Sequence, residues 1–155
     1  MVMVVEYDDL ENHIGEESGW TEWMEFKQED MNTFAHLTGD LNWIHIDVER
    51  SKTGPWGSTI VSSYHTLSTL PKIQSKMMWV KGNISMGVNY GFDKIRFTAP
   101  IPPSPIRYRA KQKLLEVKKV DKPGPGKQYK VFIEIWVEGN DKPSLIAENI
   151  TRLYE

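Results

Sequence analysis

No cysteine occurs among the 155 residues, so disulfides, thiolate nucleophiles and cysteine-ligated metals are excluded. The absence also suits a reducing compartment. There is no excess of positive charge: 19 Lys and Arg stand against 21 Asp and Glu, a net charge of −2, which gives no basic field for nucleic acid. Long apolar runs are missing too. The opening MVMVVEYDDL is too short for a signal peptide and is followed at once by acids. No window approaches the roughly 18 apolar residues of a membrane span. Together these absences set the expectation of a cytoplasmic protein that binds neither nucleic acid nor membrane. One further absence is local. Between Arg50 and Phe92 there is no Asp or Glu, while Lys52, Lys72, Lys76 and Lys81 are present. An acid-free surface suits a phosphate-bearing ligand; lysines late in a helix equally complement its dipole. The sequence alone does not choose between the two.

What is present is an ordinary globular balance, with 39% hydrophobic and 26% charged residues, on a chain of one-domain length. Residues 1–19 are acidic and read as an N-terminal arm or loosely packed entry, and 22–26 as a short strand. From Gln28 to Thr38 the apolar positions Met31, Phe34 and Ala35 recur at helical spacing, and Gly39 follows where a left-handed cap is expected. Residues 40–59 read as irregular, with one short helix near 49–52. Ile60, Tyr64, Leu67, Leu70, Ile73 and Met77 then step by threes and fours, which predicts a long central helix over 60–80, kinked or broken at Pro71. Beyond it the period falls to two. Strands are expected at 84–92 and 94–97, APIPPSP (99–105) reads as a rigid connector, and three long strands follow. The turns DKPGPGK (121–127) and GNDKP (139–143) separate these three. They predict an antiparallel meander with one apolar and one charged face, Arg107, Arg109, Lys111 and Lys113 facing Glu134 and Glu138 across strands. A long helix followed by such a sheet is an α+β layout in a single domain spanning 1–155.

The segment TGDLNWIHID (38–47) places a carboxylate, an amide and an imidazole in a short stretch just after a helix C-terminus. Asp40 and His45 in one loop suit acid–base work; the same pattern also describes a cap or a solvated group. His36 reads as surface, His65 as a polar residue at a helix margin, and His13 as lacking a recognisable partner. No three histidines and carboxylates have metal-ligand spacing, so no metal is expected. Gly82, Gly87 and Gly91 do not form a phosphate loop.

The run FAHLTGDLNWIHID (34–47) resembles the hydratase motif of MaoC-like proteins, in which Gly-Asp precedes Asn-Pro and His-x-Asp; Trp43 stands where that proline is expected. GPWGSTIVSSYHTLSTLP (54–71), VNYGFDKIRFTAP (88–100) and the ending KPSLIAENITRLYE are similar to the nodulation-protein-N subgroup, so the resemblance runs from about residue 28 to the C-terminus. It implies a hot-dog fold, a long helix wrapped by an antiparallel sheet, working as a homodimer or a double hot dog. It also implies hydration of trans-2-enoyl-CoA to (R)-3-hydroxyacyl-CoA, or the reverse dehydration, with CoA thioester as substrate and no cofactor. By the motif match Asp40 and His45 are the catalytic pair, and Asn42 supports the loop.

The chain departs from the pattern just before the central helix. Active members usually carry His-Gly where Ser62 and Ser63 stand. The family's oxyanion donor is the backbone N–H at the Gly position. Ser63 retains that N–H and a helix N-terminus suits the task, with Ser62 in a supporting place. The retained Asp40, Asn42 and His45 favour a hydratase. The Ser62-Ser63 replacement favours the alternative of a non-catalytic hot-dog protein that holds acyl thioesters. A thioesterase fits less well, because the central helix offers no carboxylate.

Overall fold

The computed structural model describes residues 2–155. Strand β1 (Met3–Glu6) leads into a 3-10 helix (Tyr7–His13), and α1 (Gln28–Thr38), α2 (Trp43–Ile46) and α3 (Val48–Ser51) follow. After α4 (Ser63–Ser68) and α5 (Leu70–Gln74) come β2 (Met78–Lys81), β3 (Met86–Phe97), β4 (Tyr108–Val120), β5 (Gly126–Val137) and β6 (Leu145–Tyr154). Strands β3, β6, β5 and β4 lie side by side in an antiparallel sheet, and β1 pairs with β2 in a separate parallel pair.

The expected three-strand meander is present with its alternation intact. Leu114, Val131, Ile133, Ile135, Leu145 and Ala147 turn to one face and are almost fully buried. Burying each of the Leu, Val and Ile side chains stabilises the fold by about 1.5–3 kcal/mol. The outer face is only partly as expected. Arg107 pairs with Glu138, Nε to Oε2 at 2.9 Å, and Lys111 with Glu134 at 3.2 Å. Arg109 instead lies over the rings of Trp20 and Trp23, 4.2 and 4.6 Å from their centroids, and Lys113 faces Phe132 across the strands.

α1 forms as read. Met31 and Ala35 are buried, Glu29 and Asp30 sit in the first turn where the helix dipole favours acids, and Gly39 ends the helix at φ 78°, ψ 5°. The N–H of Gly39 donates to the Ala35 carbonyl at 2.9 Å. A side chain at that φ would be strained, so the glycine lets the chain turn sharply into Asp40.

Three expectations need correction. The central helix does not run from 60 to 80. It begins at Ser63, is interrupted at Thr69 (φ −89°, ψ −3°) and resumes for a single turn ending at Gln74. Pro71 has no N–H to donate back along the helix and its ring crowds the preceding turn, so the helix restarts with this proline in its opening turn. Residues 78–81 then leave the helix to pair with 3–6, taking Met78 and Val80 into a strand. Of the stretch read as an arm, residues 1–19, the described part from residue 2 contributes to the core rather than lying loosely on it, for Val5, Tyr7 and Leu10 are buried. Residues 22–26 make a single bridge, Met24 to Tyr108, and not a strand.

The two sheet edges differ. Residues 15–24 cover the β4 edge: the N–H groups of Gly15, Ser18, Thr21 and Met24 each donate to a β4 carbonyl at 2.8 Å. The Ser18 and Thr21 hydroxyl oxygens accept from the N–H groups of Gln112 and Ala110. The β3 edge has no such cover among the described residues, and Met86, Val88, Tyr90, Phe92 and Phe97 stand exposed along it. No helix of the described residues is long and apolar enough to cross a membrane.

Candidate active site

After the Gly39 turn, residues 40–51 fold as two single-turn helices, each started by its own side-chain cap. The Asn42 side-chain oxygen accepts from the Ile44 N–H at 3.4 Å, and Asp47 Oδ1 accepts from the Arg50 N–H at 2.9 Å. Asn and Asp at N-cap positions satisfy helix donors that otherwise lack partners. The region read as irregular is therefore a capped double turn, and the capping residues are polar members of the 38–47 motif. Trp43 packs onto Gly54, where an added Cβ would come within 3.2 Å of its ring, while the Arg50 guanidinium lies 4.3 Å from that ring's centroid.

This framework sets the imidazole of His45. Its Nδ1 stands 2.7 Å from the Ile60 carbonyl oxygen. A carbonyl only accepts, so Nδ1 carries the proton and Nε2 of the neutral ring offers a lone pair. Nε2 lies 3.5 Å from Asp40 Oδ2. The His45 side chain is 11% exposed and that of Asp40 45%, so the pair opens to solvent on the carboxylate side. A water between them would donate one hydrogen to Nε2 and the other to Oδ2, leaving its oxygen lone pairs free for attack.

The second half of the sequence-derived set lies at the start of α4. Ser62 occupies the N-cap position but its side chain makes no capping bond, and it is buried. The Ser63 N–H donates to no acceptor among the described residues, as expected in the first turn of a helix, whereas the Thr66 N–H donates to the Ser62 carbonyl at 3.0 Å. Ser63 lines a cavity of about 280 Å³ with Trp56, Ile60, Val61, Phe97 and Ile101. Asp40 and His45 do not line it; the link between the two halves is Ile60, which borders the cavity and holds His45.

The remaining histidines divide differently from the sequence reading. His36 is exposed, as expected. His13 does have partners, Glu16 at 2.9 Å and Asp9 at 3.3 Å. His65 is not at a helix margin. It is 7% exposed, stacked on Phe34 at 4.6 Å and edge-on to Phe26 at 5.2 Å, with Nδ1 buried and unpartnered. Burial pushes its pKa down, and the carboxylate of Asp30 offsets part of the shift. Among the described residues no group of three or more histidines and carboxylates is placed to hold a metal ion.

Sequence reasoning missed Gln28. Its side-chain amide donates to the His45 carbonyl at 2.8 Å and accepts from the Thr59 hydroxyl at 2.6 Å. A polar residue at the first position of a helix reads as an ordinary helix start, and no spacing rule points from residue 28 to 45 or 59.

Comparison with known proteins places this geometry among relatives. The sequence profile of the MaoC like domain matches residues 9–134. Over 145 residues, 93% of each chain, the sequence is 42% identical to 3-hydroxyacyl-thioester dehydratase Z of Mycobacterium tuberculosis. It is 33% identical over 144 residues to nodulation protein N of Rhizobium leguminosarum bv. viciae, covering 92% of this chain and 88% of that one. The monoamine oxidase regulatory protein of Archaeoglobus superposes with a TM-score of 0.74 at 19% identity, over 98% of this chain and 97% of that chain. The (R)-hydratase of A. caviae involved in PHA biosynthesis superposes with a TM-score of 0.68 at 17% identity, over 89% and 94%. At these identities the solved structures speak to fold, and the fold is the α+β hot dog.

Proposed function

The chain belongs to the MaoC-like domain family, and from that premise we propose that it is an (R)-specific hydro-lyase interconverting trans-2-enoyl and (R)-3-hydroxyacyl thioesters of CoA. The observation that carries this reading is the Asp40–His45 pair at 3.5 Å, with the Nε2 lone pair aimed at the carboxylate by the bond from Nδ1 to Ile60. In the hydration direction, water held between His45 Nε2 and Asp40 Oδ2 loses a proton to the pair as its oxygen bonds to C3. The C2=C3 electrons move toward the thioester carbonyl, and the proton returns to C2. One O–H bond and the C2=C3 π bond break, one C–O and one C–H bond form, and the pair ends as it began. The enolate-like charge developing on the thioester oxygen needs a donor, and the free N–H of Ser63 is the group we assign to it. Asn42 acts by capping the turn that carries His45, and Ser62 by the extended backbone that leads into α4. The proposed reaction calls for no cofactor and no metal, and a cytoplasmic location is part of the same proposal.

A homodimer is part of the proposal. The bare β3 edge, twelve residues long with exposed Tyr90 and Phe92, is the sort of edge a second copy covers. The second reading, an acyl-thioester binding protein without turnover, draws on Ser62 and Ser63 standing in place of His-Gly. Hydration of crotonyl-CoA, followed as loss of the enoyl thioester absorbance, separates the two. Turnover supports the hydro-lyase; saturable binding of the thioester without turnover supports the binding protein.

A further inference from the structure

We infer that Gln28 is a positioning residue for His45, closing a ring of hydrogen bonds that fixes the direction of the catalytic imidazole. The inference rests on the proposed hydration chemistry for its kinetic test and on the geometry alone for its spectroscopic one. Gln28 opens α1, after Lys27, whose side chain makes no capping bond. The Gln28 amide reaches two other elements. Nε2 donates to the His45 carbonyl at 2.8 Å and to Asn32 Oδ1 at 2.9 Å, and Oε1 accepts from the Thr59 hydroxyl at 2.6 Å. The His45 carbonyl can only accept, so the amide orientation is determined: nitrogen toward His45, oxygen toward Thr59.

Thr59 is covalently followed by Ile60, whose carbonyl holds His45 Nδ1 at 2.7 Å. The path from Gln28 to Thr59, along the chain to Ile60, across to the imidazole, through His45 to its own carbonyl and back to Gln28 is therefore closed. The backbone of His45 and the group that aims its ring are held to one side chain. Thr59 is 2% exposed, so its hydroxyl has no water to turn to, and among the described residues only one other bond, Ile60 N–H to the Ile44 carbonyl at 2.9 Å, joins the same two segments. With the amide removed, residues 43–46 and 59–61 are left with that single tie plus the bond to be positioned. A catalytic group displaced by as little as an ångström loses rate steeply. Asn32 belongs to α1 itself, so its bond to Gln28 lies outside the ring.

The test compares Gln28→Leu, Gln28→Glu and Asn32→Ala with the parent. In crotonyl-CoA hydration Gln28→Leu should lower kcat by about 10- to 100-fold with KM within about twofold, the pattern of a misaligned base rather than a lost binding contact. Asn32→Ala should stay near parent. Gln28→Glu retains an acceptor for Thr59, but as a carboxylate it opposes the His45 carbonyl. Once protonated it regains a donor, so the ratio of its kcat to that of Gln28→Leu should rise as pH falls. The second readout needs no turnover. In nitrogen-15 NMR of the four histidines, with His45→Ala as the assignment control, the Nδ1–H of His45 should be protected from exchange in the parent and in Asn32→Ala, and lost or strongly broadened in Gln28→Leu. A folded Gln28→Leu variant with an intact His45 Nδ1–H signal overturns the inference, whether or not the parent turns over. So does unchanged kcat, a change confined to KM, or a pH-independent Glu-to-Leu ratio. A parent that fails to hydrate the substrate while the NMR signal still depends on Gln28 overturns the proposed function and leaves the positioning role supported.

Discussion

The 38–47 turn and the 56–68 segment supply the two halves of the proposed site, and they are built differently. In the turn, Asn42 and Asp47 cap helices and His45 Nδ1 donates to Ile60. In the segment, among the described residues, Ser62 caps nothing, the Ser63 N–H has no acceptor, and Nδ1 of His65 is buried without a partner. Two buried histidines show the contrast most directly. His45 is oriented by a hydrogen bond and keeps a lone pair toward Asp40, whereas His65 is held by aromatic faces alone. The difference teaches that the acid–base half is set before any ligand arrives. On the proposed reading the thioester half works through the backbone N–H of Ser63, which a change of side chain at 62 and 63 leaves in place.

This contrast is broken most severely at Ser63. Ser63→Pro removes the N–H and should cost about 100- to 1,000-fold in kcat, the scale of a lost oxyanion donor, while proline in a first helical turn leaves the fold standing by circular dichroism. Ser63→Gly and Ser63→Ala should change kcat by less than about threefold, since the backbone donor survives in both. An alanine variant as damaged as the proline variant would move the role to the hydroxyl. A change away from both halves comes next. Tyr90→Lys on the bare β3 edge should weaken self-association by about tenfold or more by light scattering or sedimentation, because a buried unpaired lysine is costly; a wild-type chain that is monomeric at micromolar concentration would contradict the dimer.

The smallest effect is a pH dependence at His65. Burial holds its folded pKa below the usual 6.5, so between those two values the unfolded chain binds more protons. The stability tied to a neutral His65 is therefore intact above about pH 7 and is lost as pH falls through 6.5 toward the folded value. His13 runs the other way, its pKa raised by Glu16, so the comparison is made between variants sharing His13. His65→Leu should match the parent in melting temperature near pH 7 and lose less of it by pH 5. Equal losses in the two proteins would show that His65 does not titrate on unfolding.

Much of this was legible in the sequence, for stated reasons. The meander strands carry strict alternation and strong turns, and α1 carries both its apolar spacing and its glycine cap. Asp40, Asn42 and His45 fall within ten consecutive residues, the resemblance to the MaoC-like motif singles out Asp40 and His45 as the pair, and the structure places their side chains 3.5 Å apart. The predicted central helix runs too far, because apolar residues continue to Val80, and Met78 and Val80 share a strand face as readily as such residues extend a helical stripe. Only pairing with Val5 across the parallel strands decides between them, and that partner is 75 positions away. Gln28, Thr59 and the burial of His65 left no local trace, since each depends on contacts between distant segments.

The central claim is that Asp40 and His45 act on one water as a unit. The direct measurement is kcat for crotonyl-CoA hydration by the parent, Asp40→Asn, His45→Ala and the double variant, with folds verified by circular dichroism. Each single change should reduce kcat by about 100-fold or more, and the double variant should be little slower than the worse single one, because groups that act together cannot be lost twice. Near-parent turnover in either single variant, or losses that multiply fully in the double, would contradict it.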